Sequence, residues 1–570
     1  MKRAIAIPRF RFILVVTTLA LITLALLLRA AYLQIWNSDY LQKQGNARFL
    51  RVVSDAPYRG MILDRNGEPL AISTPVESIW AQPEVLLEVR DQWPRLARKL
   101  DISQSELARQ VRHHQGKEFM YLKRQVSPEF ARSVTELDIP GVSLQREYRR
   151  YYPAGEAAGH IIGFTNVDDN GQEGVELAFN DWLSGKPGRK RVLKDRLGNI
   201  VESVESITLP ERGRDLVLSI DRRIQYLAYR ELKEAVAQHK AKGGTAVVMD
   251  VRSGEVLAMV NQPGFNPNNR KNFRSRYFRN RAVTDLFEPG STLKPFTIAA
   301  ALESGRFSPR SLVNTSPGAV LVGSKTISDE HNFGWLTLTR VIEKSSNVGA
   351  AKIALQIGKQ SIWDMLTRVG FGEETHSGLP GEVSGLINPP DKWAKLDHAT
   401  VSFGYGISVT SLQLARAYAA IANNGYMITP TLVRTDAARL ERRVLPEDVT
   451  HQLRYMLERA VGTKGTGQAA DIAHYRVAGK TGTVHKLIDG QYAEDRYMGL
   501  FAGMVPASNP RLVMVVTIDD PHRGGYFGGQ IAAPVFRKVM SGALRLLDIA
   551  PDQPHKPGQQ LVQTTARPAV

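Results

Sequence analysis

Ser291 and Lys294 stand three residues apart, Ser345-x-Asn347 follows, and Lys480-Thr481-Gly482 comes last, each pattern once and in that order. These are the residue types of a serine acyl-transfer site. A serine hydroxyl is a weak nucleophile until a base within hydrogen-bond reach takes its proton. Lys294 is the candidate base, because residues i and i+3 share one face of a helix. It can act at neutral pH only if its pKa is lowered, which burial beside a second cation such as Lys480 would achieve. Ser345 can relay a proton toward a leaving amine, and Asn347 can hold Lys294 and a substrate amide. Lys480, Thr481 and Thr483 offer charge and hydroxyls to a substrate carboxylate, and Gly482 permits close approach. The backbone N–H groups of Ser291 and Thr483 would form an oxyanion hole.

Positioning these groups takes a turn, a helix and a strand. Glu288-Pro289-Gly290 reads as a turn into a buried helix carrying Leu293, Phe296, Ile298, Ala299, Ala300 and Leu302, so Ser291 sits near a helix N-terminus, where developing negative charge is favoured. Val477 to Val484 reads as a strand along which an extended peptide could lie. Thr245 to Val251 and Glu255 to Asn261 flank Arg252-Ser253-Gly254 as a β-hairpin, and Tyr497 to Val505 and Leu512 to Asp519 read as strands. Early and late strands around a helical middle predict one antiparallel sheet with helices on its faces. From about Asn37 to Ile220 the chain is mixed, with helix-like pieces at Pro83 to Leu100 and Ser103 to Arg112, strand-like pieces at Val142 to Leu144 and Leu216 to Ile220, and no nucleophile constellation. A chain of 570 residues with 43% apolar content supports two globular domains.

Lys2, Arg3, Arg9 and Arg11 precede the uncharged run Phe12 to Leu28. That run is at the lower edge of a membrane span, with Arg29 able to snorkel and extend it to Leu33. A cleaved signal peptide would need a small-residue cleavage site, and Arg29 and Tyr32 flank the alanine pair that follows the run. The basic flank follows the positive-inside pattern, which puts the bulk of the chain outside the cytoplasm. The net charge of +18 fits anionic lipid and envelope polymers or a mildly basic solvated surface; no zinc spacing or RNA-binding pattern supports nucleic acid. With no cysteine, disulfides and thiol catalysis are excluded.

The triplets S-T-L-K, S-S-N and K-T-G-T resemble those of penicillin-binding proteins and class A β-lactamases. Arg59-Gly60, Asp64-Arg65-Asn66-Gly67, Arg149-Arg150-Tyr151-Tyr152-Pro153 and Gly171-Gln172-Glu173-Gly174-Val175-Glu176 narrow the resemblance to class B penicillin-binding proteins. Over nearly its whole length the chain resembles their septal, division-specific family, FtsI. The resemblance implies an α/β (α+β) serine acyltransferase domain, with an antiparallel sheet flanked by helices, on a non-catalytic mixed pedestal with a single transmembrane helix. It implies peptidoglycan D,D-transpeptidation: acylation on the penultimate D-alanine of a stem peptide, release of the terminal D-alanine, and transfer to a neighbouring stem's amine. It implies binding of β-lactams, a membrane glycan polymerase (FtsW) and other divisome proteins as partners, and a place at the division site of the bacterial inner membrane with the catalytic domain periplasmic. No cofactor or metal is implied. The expected organisation is a cytoplasmic tail over residues 1–11, an anchor over 12–33, a pedestal over 34–220, a transpeptidase domain over 221–550 and a disordered tail over 551–570. The amino-terminal signatures read first as structural, with glycines for turns and Arg/Glu pairs clamping chain segments.

Gly479-Lys480-Thr481 resembles the end of a phosphate-binding loop, but His474 stands where that loop needs glycine. His113-His114 lacks a zinc-binding context and reads as a surface pair. Glu494-Asp495 follows the KTG run and has Met498 where a glycan-polymerising motif expects an aromatic. Gly404-Tyr405-Gly406 either lines the cleft or is a glycine-bounded turn. The loop Gly524-Gly525-Tyr526-Phe527-Gly528-Gly529 is a candidate mobile rim. Hydrolysis would need a water-directing base; Glu382 is at a plausible distance, but the run Glu382 to Asn388 departs from the expected E-x-x-L-N by an extra residue before Leu386, and Glu382 reads as a loop residue. A β-lactam sensor would need a cytoplasmic output domain, for which the eleven residues before the span are too few. A scaffold with a dead site is opposed by the intact triplets. An elongation-type transpeptidase differs from the septal kind by resemblance alone.

Overall fold

The computed structural model describes residues 9–194, 200–269, 274–435 and 440–553. The expected disorder of the carboxy-terminal tail falls, beyond Gln553, outside the described residues, as do the first eight residues of the expected cytoplasmic tail. Helix α1 (Arg9–Ala31) presents its apolar residues outward, Leu14, Leu21 and Leu28 each more than half exposed. Its 23 residues reach about 35 Å, enough for a hydrocarbon core of about 30 Å. A π turn at Tyr32–Trp36 continues it, closed by Asn37 N–H to the Tyr32 oxygen at 2.9 Å.

Two compact units follow, interleaved along the chain. In the first (residues 9–58, 74–149 and 185–213), Leu50–Asp55, Gly188–Lys194 and Ile200–Thr208 form an antiparallel sheet. A separate core gathers Ile79, Leu86, Trp93, Leu96, Leu107 and Val111. The helix read over Pro83 to Leu100 is broken into Pro83–Glu88 and Trp93–Leu100, because Pro94 lacks the N–H an uninterrupted helix would use. The next helix, Gln104–His113, starts where Ser103 Oγ accepts from Glu106 N–H.

The second unit (residues 59–73, 150–184 and 214–553) holds the predicted sheet. Helix α2 (Arg222–Gln238) opens on an Asp221 cap, and strands β1 (Gly243–Asp250) and β2 (Val256–Gln262) form the early hairpin. The helical middle contains α3 (Lys294–Glu303), α4 (Leu338–Lys344), α5 (Asn347–Ile357) and α6 (Ser411–Ala422). Strands β3 (Ala478–Ile488), β4 (Gln491–Val505) and β5 (Leu512–Asp519) return before helix α7 (Ala533–Leu546). The order is β2-β1-β5-β4-β3, antiparallel throughout. Val247 and Met249 enter the core under the helical middle, and Ala246 and Val248 enter the core under α2 and α7. Both faces are covered, so these strands read as continuous apolar runs rather than polar alternation.

The amino-terminal signatures meet in the second unit around one buried carboxylate. Glu176 accepts from Arg59 Nε at 2.8 Å and Arg150 Nε at 2.6 Å, all three side chains being out of solvent. Arg59 also reaches the Asp169 carbonyl, Asn180 and Ser184, and Arg150 reaches the Gly60 carbonyl and Ser73. Asp64 accepts from Asn66 and Glu68 N–H within its own turn and from Arg222 N–H at the start of α2. These are the structural clamps the sequence reading favoured. Glu176→Gln leaves two buried guanidiniums without their anion and is expected to cost about 3–5 kcal/mol, read as a lower urea midpoint; an unchanged midpoint would show the clamp to be dispensable.

Candidate active site

Gly290 takes a left-handed φ of 54° and starts a 3₁₀ turn, Gly290–Leu293, that carries half-buried Ser291 into α3. Residues i and i+3 eclipse along such a turn, so Ser291 and Lys294 lie on one side of it. The helix behind is buried from Lys294 to Leu302, which takes the lysine side chain out of solvent.

That amine bonds the Ser345 carbonyl oxygen, Ser345 Oγ at 3.2 Å and Asn347 Oδ1 at 2.8 Å. Lys480 Nζ reaches the same Ser345 Oγ at 2.9 Å. One hydroxyl therefore bridges two buried amines. Ser345 has a left-handed φ of 59° between α4 and α5, backbone strain of the kind held at functional sites. The Ser291 hydroxyl makes no hydrogen bond among the described residues, so the expected Ser291–Lys294 pair is not joined in this state; such bonds often close only when substrate arrives.

Burial first, and then the charge of Lys480, hold Lys294 well below the ordinary lysine pKa. Asp329 and Glu330 oppose that shift. Burial likewise pushes Lys480 down to about 7, against the pull of Glu330.

Strand β3 is one of the two edge strands of the sheet, a position at which an extended peptide can be added. A Cβ on Gly482 would lie 3.1 Å from the Pro289 oxygen, so the glycine lets the strand close on the turn that carries Ser291. Thr481 Oγ1 bonds Thr466 Oγ1 at 2.7 Å, and Thr483 Oγ1 accepts from Gly528 N–H at 3.0 Å. The supposed rim is thus partly fixed: Gly528–Ile531 is a short helix, and a Cβ on Gly528 would meet the Gly482 oxygen at 2.3 Å. Tyr526 of the same loop stacks on Tyr497 at 4.0 Å. Gly404-Tyr405-Gly406 lies against the turn that carries Ser291, where Gly290 N–H donates to the Gly404 oxygen at 3.1 Å. Glu382 is bound by the N–H and hydroxyl groups of Thr375 and Ser377, a loop clamp with both oxygens occupied.

Sequence reasoning missed Asp329. Its carboxylate accepts from Asn347 N–H at 2.6 Å, Val348 N–H at 3.0 Å and Ser346 Oγ at 2.6 Å, capping α5 and fixing Asn347. The cap comes from a distant chain segment, and no local pattern announces it. Thr466 escaped notice for the same reason.

A half-buried serine with a buried lysine three residues on, a second buried lysine across a shared serine hydroxyl, and an edge strand beside them define a serine acyltransferase site. The penicillin-binding protein transpeptidase domain matches residues 244–541, and the penicillin-binding protein dimerisation domain matches residues 54–218. The peptidoglycan D,D-transpeptidase FtsI of Escherichia coli K12 is 44% identical over 95% of this chain and 93% of its own. The probable peptidoglycan D,D-transpeptidase PbpC of Pseudomonas aeruginosa is 43% identical over 95% and 96%. The crystal structure of penicillin-binding protein 3 from Mycobacterium tuberculosis with aztreonam is 28% identical, with a TM-score of 0.68 over 88% of this chain and 99% of that one. The chain belongs to the class B penicillin-binding protein transpeptidases.

Asp329→Ala removes a charged cap from three donors and is expected to cost about 2 kcal/mol and to slow acylation by releasing Asn347. Thermal unfolding and penicillin labelling check both; a stable variant with wild-type labelling would remove Asp329 from the site's support.

Proposed function

We propose that this chain cross-links peptidoglycan as a septal-type D,D-transpeptidase, with Ser291 as nucleophile and Lys294 as its base. The observation that carries the reading is the Ser345 hydroxyl shared by Lys294 and Lys480. Neutral Lys294 takes the proton of Ser291 Oγ as the oxygen attacks the carbonyl of the penultimate D-alanine. The N–H groups of Ser291 and Thr483 receive the oxyanion. The C–N bond to the terminal D-alanine breaks while Ser345 passes a proton to the leaving amine. The acyl ester on Ser291 is then attacked by the amine of a neighbouring stem, and the reverse proton path restores the hydroxyl. Lys480, Thr481 and Thr483 hold the donor's terminal carboxylate, Gly482 admits the peptide, and Asn347 orients Lys294 and the donor amide. A β-lactam acylates Ser291 in the same way through its ring carbonyl.

Identity of 44% to the peptidoglycan D,D-transpeptidase FtsI over most of both chains supports a division role, with the glycan polymerase FtsW and divisome proteins as partners. The basic residues before α1 support a single-pass inner-membrane anchor with the catalytic unit in the periplasm. Transfer is favoured over hydrolysis because Glu382 is fully engaged in its loop.

A fluorescent penicillin is expected to label the chain, and Ser291→Ala to abolish labelling without changing the unfolding temperature; labelling that survives sinks the assignment. With stem pentapeptide and an acceptor amine, cross-linked product is expected over hydrolysed donor. The pH profile tests the base. Acylation rises with pH as Lys294 loses its proton, so Lys480→Met, which removes the cation disfavouring protonated Lys294, moves that rising limb to higher pH. A limb that stays in place would point to another base.

A further inference from the structure

The turn that presents Ser291 is held from one side by the segment 404–409. Phe287 and Val409 exchange backbone hydrogen bonds at 3.0 and 2.9 Å, and Gly290 N–H reaches the Gly404 oxygen. The approach is so close that a Cβ on Gly404 would lie 2.2 Å from the Gly290 oxygen. Between these backbone contacts stands one side chain, Glu288. Its Oε1 accepts from Gly406 N–H at 2.7 Å and also from the Tyr492 hydroxyl at 2.9 Å. Tyr492 belongs to the outer end of the β3–β4 hairpin, opposite Leu487, and its ring meets Tyr405 edge-on at 5.5 Å. One carboxylate oxygen thus joins three elements: the nucleophile turn, the Gly-Tyr-Gly segment and the hairpin end. Its other oxygen is buried without a hydrogen-bond partner, an unmet cost of the sort that calls for a functional explanation.

We infer that Glu288 is a positioning residue for acylation, whose carboxylate sets the outer end of the β3–β4 hairpin against the turn that presents Ser291. This rests on Ser291 being the nucleophile. With the donor's terminal carboxylate held at Lys480 and Thr481, the upstream part of the peptide runs past Thr483 toward Val484 and Ile488, the stretch that the Tyr492 bond anchors. A loosened hairpin end leaves the carboxylate grip intact but lets the scissile carbonyl drift relative to Ser291. Small misplacements of a reacting group are costly in rate.

The test is the acylation of the full chain by a fluorescent penicillin, with the binding constant and the first-order acylation step separated by varying penicillin concentration. Glu288→Ala is expected to slow the first-order step roughly tenfold or more with the binding constant little changed. Glu288→Gln keeps an acceptor oxygen and is expected to restore the step to within about threefold of wild type. Tyr492→Phe, at a half-exposed site, removes only the hairpin bond and is expected to slow the step severalfold at an unchanged unfolding temperature. Wild-type acylation by Glu288→Ala overturns the inference, as does a Glu288→Gln variant as slow as the alanine. Should Glu288→Ala fail to fold, Tyr492→Phe decides alone, and a wild-type rate overturns it. Ser291→Ala, run alongside, tests the underlying reading separately: label on that variant would move the nucleophile elsewhere, whatever the Glu288 variants do.

Discussion

Two lysine amines buried within reach of one serine hydroxyl are the constraint around which the catalytic unit is arranged. Taking an ammonium out of water is expensive, and placing a second beside it raises the cost, so the fold favours a neutral amine at Lys294. The surroundings limit the penalty without cancelling it. Lys294 has a carbonyl, a hydroxyl and an amide oxygen as partners, and Asp329 and Glu330 supply negative charge nearby. Burial and the Lys480 charge thereby lower the pKa of a residue that in water would be protonated.

Holding that arrangement in place explains the architecture near it. Helix α3 is buried along most of its length, and the sheet beside it is covered on both faces. Ser345 is held in a strained backbone by the junction of α4 and α5, and α5 is in turn held by the Asp329 cap. The turn that carries Ser291 is pressed between an edge strand and a glycine-bounded segment, both of which approach through residues without side chains.

The Arg59–Glu176–Arg150 cluster is a second buried ionic assembly with a different purpose. Its members are fully paired and are joined by backbone and hydroxyl partners as well. It ties remote stretches of chain into the unit that carries the site. The two assemblies differ in what burial does: every guanidinium nitrogen of Arg59 and Arg150 is hydrogen-bonded in one, and the lysine pKa values are lowered in the other.

What the sequence determined by itself was local. The early hairpin, the late strands, the Ser103-capped helix and the apolar run of α1 follow from turn residues, caps and hydrophobic periodicity acting over a few positions, and the Ser, Lys and Asn triplets named their chemistry through residue type. Pro94 gave a visible signal for the break between Pro83 and Leu100 that the helical reading passed over. Tertiary structure alone decided the rest. It set the 3₁₀ turn at Ser291, the turning of Lys294 toward Ser345 and Asn347, the Asp329 cap, the fixing of Gly528 on Thr483 and the meeting of Glu288 with Tyr492. Each joins groups on different elements or depends on how those elements pack, and backbone propensities act only over a few residues, so such contacts exist only once the sheet and its helices have closed on one another.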